Sequence, residues 1–282
     1  MPETQAFSAP RSVWTPPSGT LGELVVAAHA RVAAQVHEDR EWRARAEERP
    51  AAASFRDALR GPDLAVIAEI KRRSPSRGAI RPDMDAAARA RSYADAGAAA
   101  ISVLTEPDRF GGSAEDLSAV ARAVPVPVLR KDFIVAAPQL HEARARGASA
   151  ALLIARALGP VALAQLHDAG SRIGLDLLVE IRDDQELEWA IDAGAEIIGV
   201  NNRNLESLAI DPRTVDRVLP LIPRGLVAVA ESGMSSRSDL ERAARAGADA
   251  VLIGSAVSAV ADPATTLRSY TLIPVERHAR PG

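Results

Sequence analysis

Two lysines and three glutamates stand at the ends of short apolar segments of this 282-residue chain: Glu69 with Lys71, then Lys131, Glu180 and Glu231. Ammonium and carboxylate groups crowded into one place shift each other's pKa and can relay protons, which is what general acid–base catalysis needs. A lysine beside a second cation is expected to be drawn toward neutrality and so to become a usable acid or base. Asn201 closes another segment, with Asn202 and Arg203 behind it, and two further ends carry Ser232-Gly233 and Gly254-Ser255. Glycine there lets backbone N–H groups approach a phosphate, and a helix N-terminus adds a favourable dipole. Taken singly, each has a plainer explanation: a solvated loop lysine, a glutamate opening a loop, an ordinary turn. Their coincidence points to a site.

The elements that must position these residues are eight apolar segments. They read VIAEIK from Val66, ISVLT from Ile101, VPVLRK from Val126, ALLIA from Ala151, DLLVE from Asp176, IIGVN from Ile197, VAVAE from Val227 and AVLIG from Ala250. Successive starts differ by 35, 25, 25, 25, 21, 30 and 23 residues, room for a strand, a helix and two loops. Apolar runs without strict alternation suit parallel strands buried on both faces, and eight such units predict an α/β fold, a (β/α)₈ TIM barrel. In that fold the working face lies at the C-terminal strand ends. The five charged residues fall on segments one, three, five and seven, whose side chains share layers of the barrel interior, so the charges should converge. Glu69 and Lys71, two apart on a strand, point to the same side.

Between the segments lie Ala-, Arg- and Glu-rich stretches with helical spacing, as in 86–96, 139–146 and 240–246. Four such stretches finish at Gly97, Gly147, Gly194 and Gly247, residues suited to a left-handed helix cap. Ala-Gly-Ala phrasing recurs at three of them, which favours a repeated βα unit over the alternative of a doubly wound sheet. Residues 1–19 are rich in Pro, Ser and Thr and read as a poorly ordered tail. Residues 20–282 read as one barrel domain that includes an N-terminal helical extension (20–63). Leu24, Val25, Ala28, Val32 and Val36 fall on one face of its first helix, and the charged stretch from Glu38 to Arg49 looks like a solvated continuation that Pro50 stops. The segment SPSRG from Ser74 to Gly78 reads as a loop long enough to cover the mouth.

Composition narrows the function further. A net charge of −3 and a pI near 6.0 give no basic field for nucleic acid or an anionic membrane. There is no Cys, which excludes disulfides, thiolate metal sites and a Cys nucleophile. The five His residues show no ligand spacing, so no metal is expected. No leader pattern and no run of 18 apolar residues is present, and a cytoplasmic enzyme is expected.

The segments IAEIKRRSPSRG (67–78), SVLTEPDRFGGS (102–113), VLRKDFIV (128–135), LLVE (177–180), GVNNRNL (199–205) and VAESGM (229–234) together resemble the indole-3-glycerol phosphate synthase family of tryptophan biosynthesis. The likeness covers nearly everything from Leu21 onward. It implies a carbon–carbon lyase that closes the indole ring of 1-(o-carboxyphenylamino)-1-deoxyribulose 5-phosphate, releasing CO2 and water. By resemblance Lys131 is the general acid on the ketone, and Glu180 and Lys71 are the base and acid of the dehydration. Glu69 and Glu231 orient the lysines and substrate hydroxyls, while Asn201 hydrogen-bonds in the same region and Arg203 meets the anthranilate carboxylate. Ser74, Phe110 and Phe133 line an aromatic pocket; Ser232 touches substrate, and Gly233, Gly254 and Ser255 cradle its phosphate. The implied partner is a phosphorylated small molecule, with no cofactor, in a monomer or a dimer. Three positions depart from the family pattern: Ile181-Arg182 stands for Val-His, Arg156 for a small residue, and GSAVSAV follows the eighth segment. Other phosphate-binding barrels, such as phosphoribosylanthranilate isomerase or the tryptophan synthase α subunit, are the nearest enzymatic alternatives, and a non-catalytic sugar-phosphate-binding barrel is the alternative outside catalysis. The isomerase resembles a Cys/Asp pair, which a chain without Cys does not supply.

Overall fold

The computed structural model describes residues 13–75 and 78–282. Residues 1–12 of the expected tail, and Ser76 and Arg77 of the expected loop, lie outside the described residues. Eight parallel strands form a closed barrel: β1 (Ala65–Ile70), β2 (Ala100–Leu104), β3 (Val128–Lys131), β4 (Ala150–Ile154), β5 (Asp176–Ile181), β6 (Ile197–Asn201), β7 (Val227–Glu231) and β8 (Ala250–Ile253). Neighbours in sequence pair in space, and β8 returns to β1 with Ala65 opposite Ala250 and Ala68 opposite Ile253. The third segment becomes a strand at Val128 rather than Val126, because Pro127 lacks the N–H a ladder needs.

Period-two alternation sorts each strand. On β1, Val66, Ala68 and Ile70 face the surrounding helices, whereas Ile67 joins the interior packed with Leu129, Leu152, Leu178, Ile197, Val229 and Leu252. Two residues beyond an interior aliphatic, the same column emerges at the mouth as Glu69, Lys131, Glu180, Glu231 or Gly254, and on β6 Asn201 emerges four residues beyond Ile197, past Gly199. The aliphatic plug therefore sets the depth at which the polar groups stand.

The helices between strands include α4 (Ala86–Asp95), α5 (Ala114–Ala123), α6 (Ala137–Ala145), α7 (Ala155–Arg172), α8 (Asp184–Asp192), α9 (Arg213–Val218) and α10 (Arg237–Arg245). The caps Gly97, Gly147, Gly194 and Gly247 all take positive φ. Short helices α11 (Ser255–Ser258) and α12 (Pro263–Arg268) follow β8.

Ahead of the barrel, α1 (Gly19–Gln35) buries Leu21, Leu24 and Ala28. Val36, read from sequence as part of that face, is instead exposed: the helix ends at Gln35 and a 3₁₀ turn carries the chain away. The charged stretch beyond it is a separate helix, α2 (Asp39–Glu47), rather than a continuation. It docks beside α6, with the Arg146 guanidinium 4.9 Å from the Trp42 ring centre and His141 Nδ1 2.7 Å from Asp39. Helix α3 (Phe55–Ala58) plugs the opposite end of the barrel, where Asp176 at the start of β5 accepts from the Phe55 and Arg56 N–H groups. Among the described residues no helix is long and apolar enough to cross a membrane.

Candidate functional site

Lys131 ends β3 inside the barrel mouth, its Nζ 3.3 Å from Glu231 Oε2 on β7 and 3.5 Å from Glu180 Oε2 on β5. The two carboxylates are almost wholly buried, at 1% and 4% exposed, while Lys131 keeps 14%. Across the mouth, Lys71 pairs with Glu69, itself 2% exposed. Thus the five charged residues expected to converge do so, in three ion pairs: Lys131 with Glu180 and with Glu231, and Lys71 with Glu69, whose charge also acts on Lys131. Burial pulls the Lys131 ammonium toward neutrality, but Glu231, Glu180 and Glu69 outweigh it and hold its pKa above the ordinary lysine value. The expectation of a lysine neutralised by a neighbouring cation is corrected here: three carboxylates, not a second ammonium, dominate its surroundings. Glu231 shifts upward, first through burial and then despite Lys131, because Glu180 and Glu69 repel its charged form.

Lys131 is held in place by a buried network behind it. Asp132 accepts from the Thr105 hydroxyl at 2.6 Å and from Arg130 Nη2 at 3.1 Å, and its second oxygen accepts from the Phe133 N–H at 2.8 Å. Arg130 is anchored in turn to Glu142 of α6 at 2.8 Å. Arg31 of α1 reaches both Asp132 and Glu106, at 3.4 and 3.6 Å. Charge-assisted bonds of this kind are the stronger ones, and here they fix the loop that presents Lys131 and Phe133.

A cavity of about 200 Å³ opens between the ends of β1, β7 and β8, lined by Lys71, Lys131, Arg203, Gly233, Gly254 and Ser255 among others. At the end of β7, Ser232 and Gly233 both have left-handed backbone, with φ of 61° and 75°. Asn202, fully buried, ties that turn to the β6 loop by donating to the Ser232 carbonyl at 3.0 Å and accepting from Val215. At the end of β8, a Cβ on Gly254 would run into the Glu69 carboxylate and stand 3.0 Å from Lys71 Nζ. The niche accordingly combines an ammonium, two glycines and a serine, which suits a small anion.

A smaller lobe, about 120 Å³, adjoins this cavity and shares Arg203 with it; Glu180, Asn201, Arg156, Arg182 and Glu206 form much of its wall. Asn201 is 4% exposed and its side-chain oxygen accepts from the Arg203 N–H at 2.8 Å, so it shapes the loop as well as facing the mouth. Arg203 donates to the Leu208 carbonyl at 2.8 Å. Phe110 and Phe133 face each other with ring centres 6.2 Å apart and pack near Leu21, Leu24 and Leu205, an apolar wall contributed partly by α1. Ser74 is buried in a two-residue hairpin, Arg73–Ser74 against Gly78–Ala79, and lines neither cavity. The reading from sequence named Asn202 without a role and did not single out Glu186 or Glu206. Asn202 sits directly beside Asn201 in the GVNNRNL segment, whereas Glu186 and Glu206 belong to a helix and a loop whose approach to the mouth only the fold brings about.

Comparison with known proteins agrees with the geometry. The barrel superposes on 3-hexulose-6-phosphate synthase from Salmonella typhimurium with a TM-score of 0.60, at 18% identity over 73% of this chain and 96% of that one. Thiamine phosphate pyrophosphorylase from Pyrococcus furiosus gives 0.57 at 13% identity, over 77% and 96% of the two chains; both likenesses concern the fold alone. In sequence, indole-3-glycerol phosphate synthase of Streptomyces griseus is 49% identical over 243 residues, 85% of this chain and 90% of the relative. Indole-3-glycerol phosphate synthase 1 of Streptomyces coelicolor is 50% identical over 226 residues, 79% and 84% of the two. With residues 21–270 also matching the family model for indole-3-glycerol phosphate synthase, this chain belongs to that family.

Proposed function

We propose that this site closes the indole ring of 1-(o-carboxyphenylamino)-1-deoxyribulose 5-phosphate and releases CO2 and water, giving indole-3-glycerol phosphate. The observation that carries the reading is the Lys131 ammonium suspended between Glu180 and Glu231 at the barrel mouth, beside an anion-sized niche. Attack by a ring carbon on the substrate ketone disrupts aromaticity, so the carbonyl must be strongly polarised. A cation held in a water-poor site does this well. Lys131, kept charged by its three carboxylates, polarises the ketone and hands its oxygen a proton as the carbon–carbon bond forms. Breaking the bond to the carboxyl group releases CO2 and leaves its electron pair in the ring. Dehydration then removes the former ketone oxygen as water, with Glu180 taking a proton and Lys71 supplying one to the leaving hydroxyl.

The remaining candidates hold the substrate. Glu69 and Glu231 orient the two lysines and accept from substrate hydroxyls, with Asn201 contributing a hydrogen bond beside them. Phe110 and Phe133 bound the aromatic end, and Arg203 meets the ring carboxylate, whereas Ser74 stands in its hairpin away from both cavities. Ser232, Gly233, Gly254 and Ser255 receive the phosphate beside Lys71. The test is direct: purified protein with the synthetic substrate should generate the fluorescent indole product, and absence of that product refutes the reading. Lys131→Ala should lower kcat by at least about 100-fold, the usual scale for losing a general acid; undiminished turnover would remove Lys131 from that role.

A further inference from the structure

Residues 14–18 form a strap from the start of α7 to the loop after β6, and two side chains that the acid–base chemistry leaves unused hold it there. Arg156 donates from Nη1 to the Thr15 carbonyl at 2.7 Å and from Nη2 to Glu206 Oε1 at 3.0 Å. The same Glu206 oxygen accepts from the Ser18 N–H at 2.7 Å and the Ser18 hydroxyl at 3.1 Å, and the Glu206 carbonyl accepts from the Thr20 N–H at 3.0 Å. At the strap's far end, Trp14 Nε1 donates to the Arg156 carbonyl at 3.2 Å. The indole lies flat on Gly159, where a Cβ would come within 2.6 Å of the ring. Gly159 has φ 67° and interrupts α7 ahead of Pro160. The turn Ala155–Leu158, which carries Arg156, is thereby set apart from the rest of the helix and leaves the indole a seat.

Arg156, Glu206 and Leu21, just beyond the strap, are walls of the lobe that also holds Glu180 and Asn201. Arg156 is one of the positions at which this chain departs from the family pattern, and the clasp with Glu206 gives that departure a physical purpose. We infer that Arg156 and Glu206 are positioning residues that pin the strap across the mouth, fix the width of the lobe beside Glu180, and so limit the size of the aromatic end that the substrate can carry. This rests on the ring-closure reading of the site. Neither residue contacts Lys131 in the ion-pair network, and both keep about a quarter of their side chains exposed, at 29% and 25%, so the clasp can loosen while the barrel stays folded.

The experiment uses the whole chain carrying Trp42→Phe and Trp189→Phe, which leaves Trp14 as the reporting indole among the three tryptophans. Arg156→Ala, Arg156→Lys and Glu206→Gln are compared in that background by Trp14 emission, and by KM and kcat with the parent substrate and with an analogue methylated on the aryl ring. Arg156→Ala and Glu206→Gln should shift Trp14 emission to the red and raise KM for the parent substrate roughly 5- to 20-fold, with kcat within about threefold. The methylated analogue should lose less than the parent, and Arg156→Lys should restore part of both signals because an ammonium still reaches Glu206. Unchanged emission, or KM unmoved, or kcat falling as far as KM rises, overturns the clasp. A parental chain that fails to turn over the unsubstituted substrate refutes the ring-closure reading instead, and Trp14 emission still decides whether Arg156 and Glu206 hold the strap.

Discussion

Lys131 is pulled two ways, and the outcome sets how it works. Burial favours the neutral amine, while carboxylates at the ends of β5, β7 and β1 favour the ammonium, and the carboxylates prevail. In the proposed ring closure, a cation so held would polarise the ketone and part with its proton only as charge develops on the oxygen. Nearby, Glu186 presents the opposite balance. Burial first, and then the Asp183 charge, push its carboxyl up to about 8 from an ordinary 4.5, although it accepts from the Arg182 N–H at 2.7 Å. A carboxyl whose pKa is raised on folding contributes stability that is full below pH 4.5 and lost as pH climbs through 8. Glu186→Gln keeps an acceptor for Arg182 and removes the titration. Relative to the parent, the variant should gain about 1–3 kcal/mol between pH 5 and pH 8.5 in urea unfolding. Parallel stability curves for the two proteins across that range would show that Glu186 does not bury a proton.

At the scale of elements, a strand end does its work only if its neighbours leave it space, and β8 leaves that space at Gly254. Its φ of −111° is open to any residue, so the requirement there is steric: the Glu69 carboxylate and the Lys71 ammonium occupy the volume a Cβ would take. Gly254→Ala should therefore leave thermal stability within a few degrees of the parent while lowering kcat/KM about 10- to 100-fold, since the Glu69–Lys71 pair is forced out of register. Full activity in that variant would mean the pair relaxes at no cost. The same geometry explains what could be read from the chain beforehand. The strands were legible because each apolar segment is short, regularly spaced and buried on both faces, and the glycine caps because φ near +90° excludes most other residues. Of the five charged groups, Glu69, Lys131, Glu180 and Glu231 were legible because they stand two residues past an interior aliphatic, and Lys71 because it follows Glu69 by two. Other features were not: Val36 keeps the helical spacing of α1, but nothing local reports that the chain turns away at Gln35. Nor does local sequence place Arg156 against Thr15, Glu206 against Ser18, or α3 beneath β5, contacts that span 120 to 188 residues and exist only once the barrel has closed.

Across the whole molecule the two barrel ends divide the labour: charges at the mouth face a cavity, and charges at the base are spent on closure. Asp249, just before β8, is 1% exposed and joins three strands, with its side chain accepting from the Ala228 N–H at 2.8 Å and its carbonyl accepting from the Ala65 N–H at 2.9 Å. The C-terminal segment answers it with Arg277 and with Arg280, whose side chain is fully buried and bonds Asp249 at 2.8 Å and the Leu226 carbonyl at 3.0 Å. Arg224 in turn donates to the His278 carbonyl at 2.9 Å, so the tail is fastened from both sides. Removing one partner of a buried pair leaves the other charge short of compensation, typically at about 3–5 kcal/mol, and Arg277 places the expected loss for Arg280→Ala near the lower figure, about 3 kcal/mol. Because the base lies a barrel's length from Lys131, kcat and KM measured well below the unfolding temperature should stay within about twofold of the parent. Urea unfolding and steady-state kinetics on the same preparation decide the matter: stability lost with kinetics intact is the expected pattern, whereas impaired kinetics in a fully stable variant would mean that the base and the mouth are coupled through the strands.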